Sequence, residues 1–214
     1  KHITTDSVQP IIELVNIFDK EKFKKEIEKT ESTAARADKI ASRTAKHITE
    51  NMDDDPAFYK KFSQMLKDAI EAYIQKRISE VDYLNKASSI MDSVLTHTDK
   101  DIPVVLANKE AAKAYYGLVL ESFETKIKDE TTRRVIAVES ALRLNEIIDD
   151  LVLDGRIPII DWQEKTNITG KMLIHIGDYF YDEVRDKCDE LLTFNEIDSI
   201  AERCVDVAKR RYKN

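Results

Sequence analysis

This sequence predicts an all-α fold, a helical bundle in two halves with at most one short extended segment. Three observations carry that expectation. Glycine and proline together number only eight in 214 residues, where average usage is roughly 12% of a chain, so the punctuation for hairpins and tight turns is scarce. Apolar residues recur at three- and four-residue spacing in one segment after another. The alternating Val/Ile strand runs of a doubly wound α/β fold are missing.

The elements follow in chain order. The first helix spans about residues 7–29, with Pro10 in its first turn and Ile11, Leu14, Val15 and Phe18 on one side. The second, about 32–52, is alanine-rich and places Ala37, Ile40, Ala41, Thr44 and Ile48 on one arc. Asp53-Asp54-Asp55-Pro56 then puts an acid at an N-cap and proline at the first helical position. Phe58, Phe62, Met65, Leu66, Ala69, Ile70 and Tyr73 give the following helix its period. Ser79 with Asp82 resembles a capping box, and its helix faces inward through Leu84, Ala87, Ile90, Met91, Val94 and Leu95. Residues 97–107 break the pattern at Pro103, and Ile102, Val104, Val105 and Leu106 suit extended chain. This stretch is the expected joint between a helical domain over 1–100 and a second over 101–214.

A helix from about Asn108 aligns Tyr115, Leu118, Val119, Ser122 and Ile127. The next, about 129–154, carries Val135, Val138, Leu142, Ile148 and Val152, with Gly155 where a C′ glycine belongs. Ile157-Pro158-Ile159-Ile160 is a lone strand or a tether, and Trp162 beyond it reads as a core anchor. Helices resume over about 167–187 and 194–211. The last opens on a capping box, Thr193 with Glu196, and buries Ile197, Ile200, Cys204, Val207 and Ala208.

Composition narrows the function. A hydrophobic fraction of 42% supports a sizeable core, and 41 acids against 34 bases give a net charge of −7. The summed field repels phosphate at long range, which argues against a general polyanion binder. No apolar run is long enough for a membrane span, and Lys1-His2-Ile3 carries no signal-peptide pattern. The chain opens without methionine, which reads as a segment of a longer protein. Cys188 and Cys204 form neither a disulfide framework nor a zinc signature, so a reducing cytoplasm is the expected compartment.

The chemical motifs are few. There is no phosphate loop, no GxGxxG and no HExxH. Glu124-Thr125-Lys126 matches the E-x-K of a nuclease core by letters but falls within an expected helix. Asp53, Asp54 and Asp55 suit a hard cation, and suit better a helix N-terminus whose dipole they complement. His175 and Asp178 stand one turn apart, the spacing of an ordinary surface contact as well as of an acid/base pair. No catalytic residue and no metal ligand is expected. One positive feature remains. Arg36, Lys39, Arg43 and Lys46, with His47, fall on one arc of about 100° beside the apolar face of their helix. Such a ridge suits contact with a DNA backbone without reading sequence, and equally a solvated face softened by Glu50. The basic tail Lys209-Arg210-Arg211-Tyr212-Lys213 is what a helix C-terminus favours.

Several runs resemble one family. Ile11-Ile12-Glu13-Leu14-Val15-Asn16-Ile17-Phe18-Asp19, Ala37-Asp38-Lys39-Ile40-Ala41-Ser42-Arg43-Thr44, the stretch from Asp55 to Phe62, and Arg77-Ile78-Ser79-Glu80-Val81-Asp82-Tyr83-Leu84 are similar to the region after the motor domains in the R subunit of type I restriction-modification enzymes. Ala114-Tyr115-Tyr116-Gly117, Asp161-Trp162 and Asp178-Tyr179-Phe180-Tyr181 extend the likeness over nearly the whole chain. The resemblance implies the C-terminal part of an ATP-dependent, site-specific endonuclease subunit. It implies partners, namely the methyltransferase and specificity subunits and, in the full complex, double-stranded DNA. ATP and Mg2+ serve the full-length subunit, and the resemblance assigns no cofactor to this part. The expected role is docking, attaching the motor and nuclease to the methyltransferase core beside the DNA path. Two alternatives stand beside it: a self-contained bacterial helical adaptor, and a helical domain with a nucleotide pocket between its halves.

Overall fold

Serine, aspartate and threonine caps set where five of the eight described α-helices begin. The computed structural model describes residues 20–213, and the expected apolar face at Ile11, Leu14, Val15 and Phe18 lies outside the described residues. Eight α-helices occur among them, joined by short turns and one two-stranded hairpin. Helix α1 (Lys20–Glu28) leads into α2 (Thr33–Glu50), whose N-cap Ser32 accepts from the Ala35 amide. Helix α3 (Pro56–Ile74) starts on Asp55, which accepts from the Phe58 amide, with proline in the first turn. Helix α4 (Glu80–Thr96) has a complete capping box between Ser79 and Asp82. The side chain satisfies an amide that the helix leaves unpaired, and the acid reaches back to the cap amide.

The second part runs α5 (Glu110–Ser122), α6 (Glu130–Val152), α7 (Thr166–Tyr179) and α8 (Phe194–Arg211). Strands β1 (Leu153–Asp154) and β2 (Ile157–Pro158) pair antiparallel after α6. Helix α7 continues through a wider π-type turn at Phe180–Val184 and a tighter one at Arg185–Lys187.

The core falls into two clusters. One gathers Phe23, Ile40, Ile48, Phe62, Leu66 and Ile90 from α1–α4. The other gathers Tyr115, Phe123, Leu144, Ile148, Trp162 and Met172 with the inner face of α8. Ala37, Ala41 and Ala87 are buried where α2 meets α4, and residues this small let the helices approach closely. No helix among the described residues is long and apolar enough to cross a membrane.

Several expectations are corrected. The joint does not sit extended: Pro103, at φ −59, starts a single 3-10 turn over Val104–Leu106. Helix α5 ends at Ser122 instead of running through Ile127, because the chain must reverse before the Asp129 cap of α6. The inward face of α6 is rotated from the expected one. Val135 is exposed, and Ile136, Ala137, Ser140, Ala141, Leu144 and Ile147 are buried with Ile148 and Val152. The small residues weigh little in an apolar pattern, yet they are buried in a helix that packs against both α5 and α7. Gly155 is no helix cap; at φ 69 it takes the first of two hairpin loop positions, where a II′-type turn calls for glycine. Met65 is exposed. Tyr83, absent from the expected inward face of α4, is buried where Leu84 is only partly so, stacked on Tyr73 and donating from its hydroxyl to Asp38 (3.1 Å).

The cap of α8 gives a pH prediction. Thr193 Oγ1 accepts from the Glu196 amide, and the Thr193 amide donates to Glu196 Oε2 (2.8 Å). Lys126 Nζ reaches Glu196 Oε1 at 2.8 Å. The Lys126 contact first, and the Thr193 amide next, hold this carboxyl at about 2 against an ordinary 4.5. A depressed folded pKa stabilises above 4.5, and that contribution is lost as pH falls from 4.5 towards 2. Glu196→Gln, which can still cap, is expected to flatten the acid limb of the stability profile by about 1 kcal/mol, the carboxylate being solvent-screened. Urea unfolding at several pH values checks it.

Candidate functional site

The basic ridge lies along α2, and its four cations differ in how openly they stand. Arg36 Nε donates to the Thr30 carbonyl at 2.5 Å, closing the turn before the helix. Lys39 and Arg43 share Glu26 of α1, each at 3.7 Å from its Oε1. Lys46 pairs along the helix with Glu50 at 3.6 Å. The side chain of Arg43 is 14% exposed, whereas those of Lys39 and Lys46 are 43% and 53% exposed. His47 turns towards Tyr59, edge to face at 6.2 Å, and burial lowers its pKa. The outward charge of the ridge therefore rests on Lys39 and Lys46.

A second constellation joins the two clusters of helices. Asp55 is 1% exposed. Its Oδ1 caps α3, and its Oδ2 lies 3.0 Å from His97 Nε2 and 3.6 Å from Arg211. His97 holds a left-handed conformation at φ 47, and its Nδ1 meets Glu110 Oε2 of α5 at 2.7 Å. Lys113, itself buried, donates to the other Glu110 oxygen at 2.6 Å. The acids at 53–55 and the basic tail, 157 residues apart in sequence, meet here. Arg210 pairs with Asp53 at 3.1 Å, Arg211 Nε donates to the Asp54 carbonyl at 2.9 Å, and Lys213 lies 3.9 Å from Asp54. Gly117 makes the crossing of α3 and α5 possible, since a Cβ there would stand 2.7 Å from that of Ala57.

Beside this seam opens a cleft of about 500 Å3, with Lys60, Lys61, Asp99, Tyr116, Glu124 and Arg134 on its walls. Lys61 donates to Asp99 at 2.5 Å and Asp101 at 2.6 Å. Burial works to lower its pKa, but the two carboxylates outweigh it and leave it raised. Lys60 pairs with Glu121, and Arg134 with Glu130. Lys60, Lys61 and Arg134 are engaged by carboxylates, and Arg133 donates to the Glu124 and Ile127 carbonyls, so a phosphate-bearing ligand has to compete with them.

Glu124-Thr125-Lys126 sits in the turn after α5, in neither helix nor strand, and Lys126 belongs to Glu196. His175 and Asp178 stand on α7 with no hydrogen bond between them among the described residues. Both thiols are in the second core, and burial pushes Cys204 up to about 12. Among the described residues no three His, Cys, Asp or Glu side chains gather as a metal site. Trp162 is buried, and its Nε1 donates to the Tyr212 carbonyl at 2.8 Å. The sequence reading missed His97, Glu110, Lys113 and Gly117. A histidine straight after a well-capped helix was the only local signal. Set against known protein families, curated proteins and solved structures, the chain matches none of them.

Proposed function

We propose that this chain is a non-catalytic docking module, the C-terminal helical part of a type I restriction R subunit, which attaches the motor and nuclease to the methyltransferase core. The observation that supports this best is the seam. Buried Asp55 at the start of α3 meets His97 of the joint and Arg211 of α8, and His97 reaches on to Glu110 of α5, so this chain of contacts ties one helical cluster to the other. A connector between two large bodies needs such a fixed angle between its outer surfaces, and charges so used are engaged with one another. Removing residues 101–214 from the full-length subunit is expected to abolish assembly with the methyltransferase and leave the motor's ATPase activity intact. Assembly that survives the deletion overturns the reading.

The α2 ridge then borders the DNA path. Lys39→Glu with Lys46→Glu, the two most open members, is expected to weaken DNA binding by the full-length subunit. It is also expected to reduce the slope of log affinity against log salt by about 2, one for each phosphate that a lysine no longer neutralises. An unchanged slope removes the ridge from the DNA path.

A further inference from the structure

Helix α7 carries its apolar residues on two sides. Met172, Ile176, Tyr179 and Phe180 face the core. At 100° per residue, the opposite line runs through Gly170, Ile174, Gly177 and Tyr181, where a solvated helix normally places charge. Ile174 is 61% exposed and Tyr181 43%. The two glycines have no role in the chain's own packing, because a Cβ at either meets nothing within 4 Å. Glycine is also the poorest helix former after proline. Such positions suit a second backbone lying close against the helix.

The stripe ends on a prearranged aromatic cluster. Tyr181 stacks on Phe194, 66% exposed, with ring centroids 5.4 Å apart and planes 15° from parallel. The Arg185 guanidinium lies over both rings, 5.0 and 5.7 Å from their centroids. Tyr and Arg anchors held rigid before contact are the residues on which interface energies concentrate. The charge around this aromatic end is mostly acidic, whereas Lys165 and Lys171 lie towards the other end of the stripe. Residues 178–198 hold eight carboxylates against Arg185 and Lys187, a local charge of −6 in a chain whose total is −7. Asp182, Glu183, Asp186 and Glu190 are all at the surface, and none is ion-paired with another described residue.

We infer that the outer face of α7, extended by Tyr181 and Phe194, is the docking surface for a cationic amphipathic helix of a protein partner. This rests on the docking reading above and names the surface it uses. The acidic rim selects the occupant. It attracts a helix flanked by Lys and Arg, whereas a second copy of this chain brings a like-charged rim and DNA a like-charged backbone.

The test measures binding of the 214-residue chain to the methyltransferase–specificity core, and to two peptide probes, a Leu/Lys amphipathic helix and its Leu/Glu counterpart. Ile174→Glu and Phe194→Glu are each expected to weaken binding to the core by about thirtyfold or more, with thermal stability unchanged for Ile174→Glu, whose side chain is exposed, and slightly lowered for Phe194→Glu, which gives up the stack on Tyr181. Gly177→Gln is expected to hold or raise thermal stability and still weaken binding, a split that a purely structural role does not produce. Variants that bind the core as the unaltered chain does overturn the surface and leave the docking reading standing. If the unaltered chain does not bind the core, the docking reading fails and the peptides decide the surface. Preference for the Lys helix that Ile174→Glu abolishes supports it. Equal binding of the two peptides, or Lys-helix binding that no variant alters, overturns it, as does a dimer of the chain that Ile174→Glu dissolves.

Discussion

Asp55→Ala is expected to cost about 3–5 kcal/mol of unfolding free energy, because it removes the one buried carboxylate that faces His97 and Arg211 together. Asp55 is 1% exposed and serves three groups at once: the first turn of α3, His97 and Arg211. Its loss leaves a half-buried guanidinium and an uncapped helix start together. For a chain of this length that is a fall of about 10 °C in melting temperature. Asp55→Asn separates the causes. It keeps an oxygen for the Phe58 amide and gives up the charge facing Arg211, so a smaller loss, about 1–2 kcal/mol, is expected. Thermal and urea unfolding of both variants check the pair. Equal losses would assign the whole effect to the charge.

Trp162→Ala is expected to cost as much, about 3–5 kcal/mol, through lost packing. The indole is fully buried in the second core. Its Nε1 and the Gln163 side-chain Nε2 both donate to the Tyr212 carbonyl, at 2.8 and 3.0 Å. The Tyr212 hydroxyl in turn donates to Asp149 of α6 at 2.5 Å. Trp162 therefore pins the end of α8, the same end that delivers Arg210 and Arg211 to the seam. This predicts coupling. In the double variant with Asp55→Ala the two losses should sum to less than their separate values, since freeing the α8 terminus already loosens Arg211. Trp162→Phe, which keeps most of the apolar bulk and drops the N–H, should cost about 1–2 kcal/mol. Denaturant titration of the four chains measures the cycle.

Much of the fold was legible because helix starts are written in local chemistry. Ser79 with Asp82 and Thr193 with Glu196 read as capping boxes and are capping boxes, and Asp55-Pro56 starts α3 as expected. The inner face of α8 was also plain, because its apolar residues are large and fall on one side. Where burial rests on small residues the pattern misleads, as at Ala137, Ser140 and Ala141 of α6, which lie deeper than Val135. Where a helix is apolar on two sides, as α7 is, periodicity cannot say which side faces in. The seam was beyond local reading for another reason. The acids at 53–55 and the tail at 210–213 each had a sufficient explanation alone, as cap and as dipole complement. Their pairing across 157 residues exists only once both helix clusters are assembled. The ridge on α2 was visible as a line of cations, but Glu26, which occupies two of them, comes from the neighbouring helix.

The docking reading meets its most direct test in co-elution of this chain with the methyltransferase–specificity core on a sizing column, at low and at high salt. One shared peak is expected in both, because exposed charge pairs are screened by salt while an apolar contact such as the Ile174–Tyr181 face persists. A chain that elutes apart from the core at both salt concentrations would contradict it.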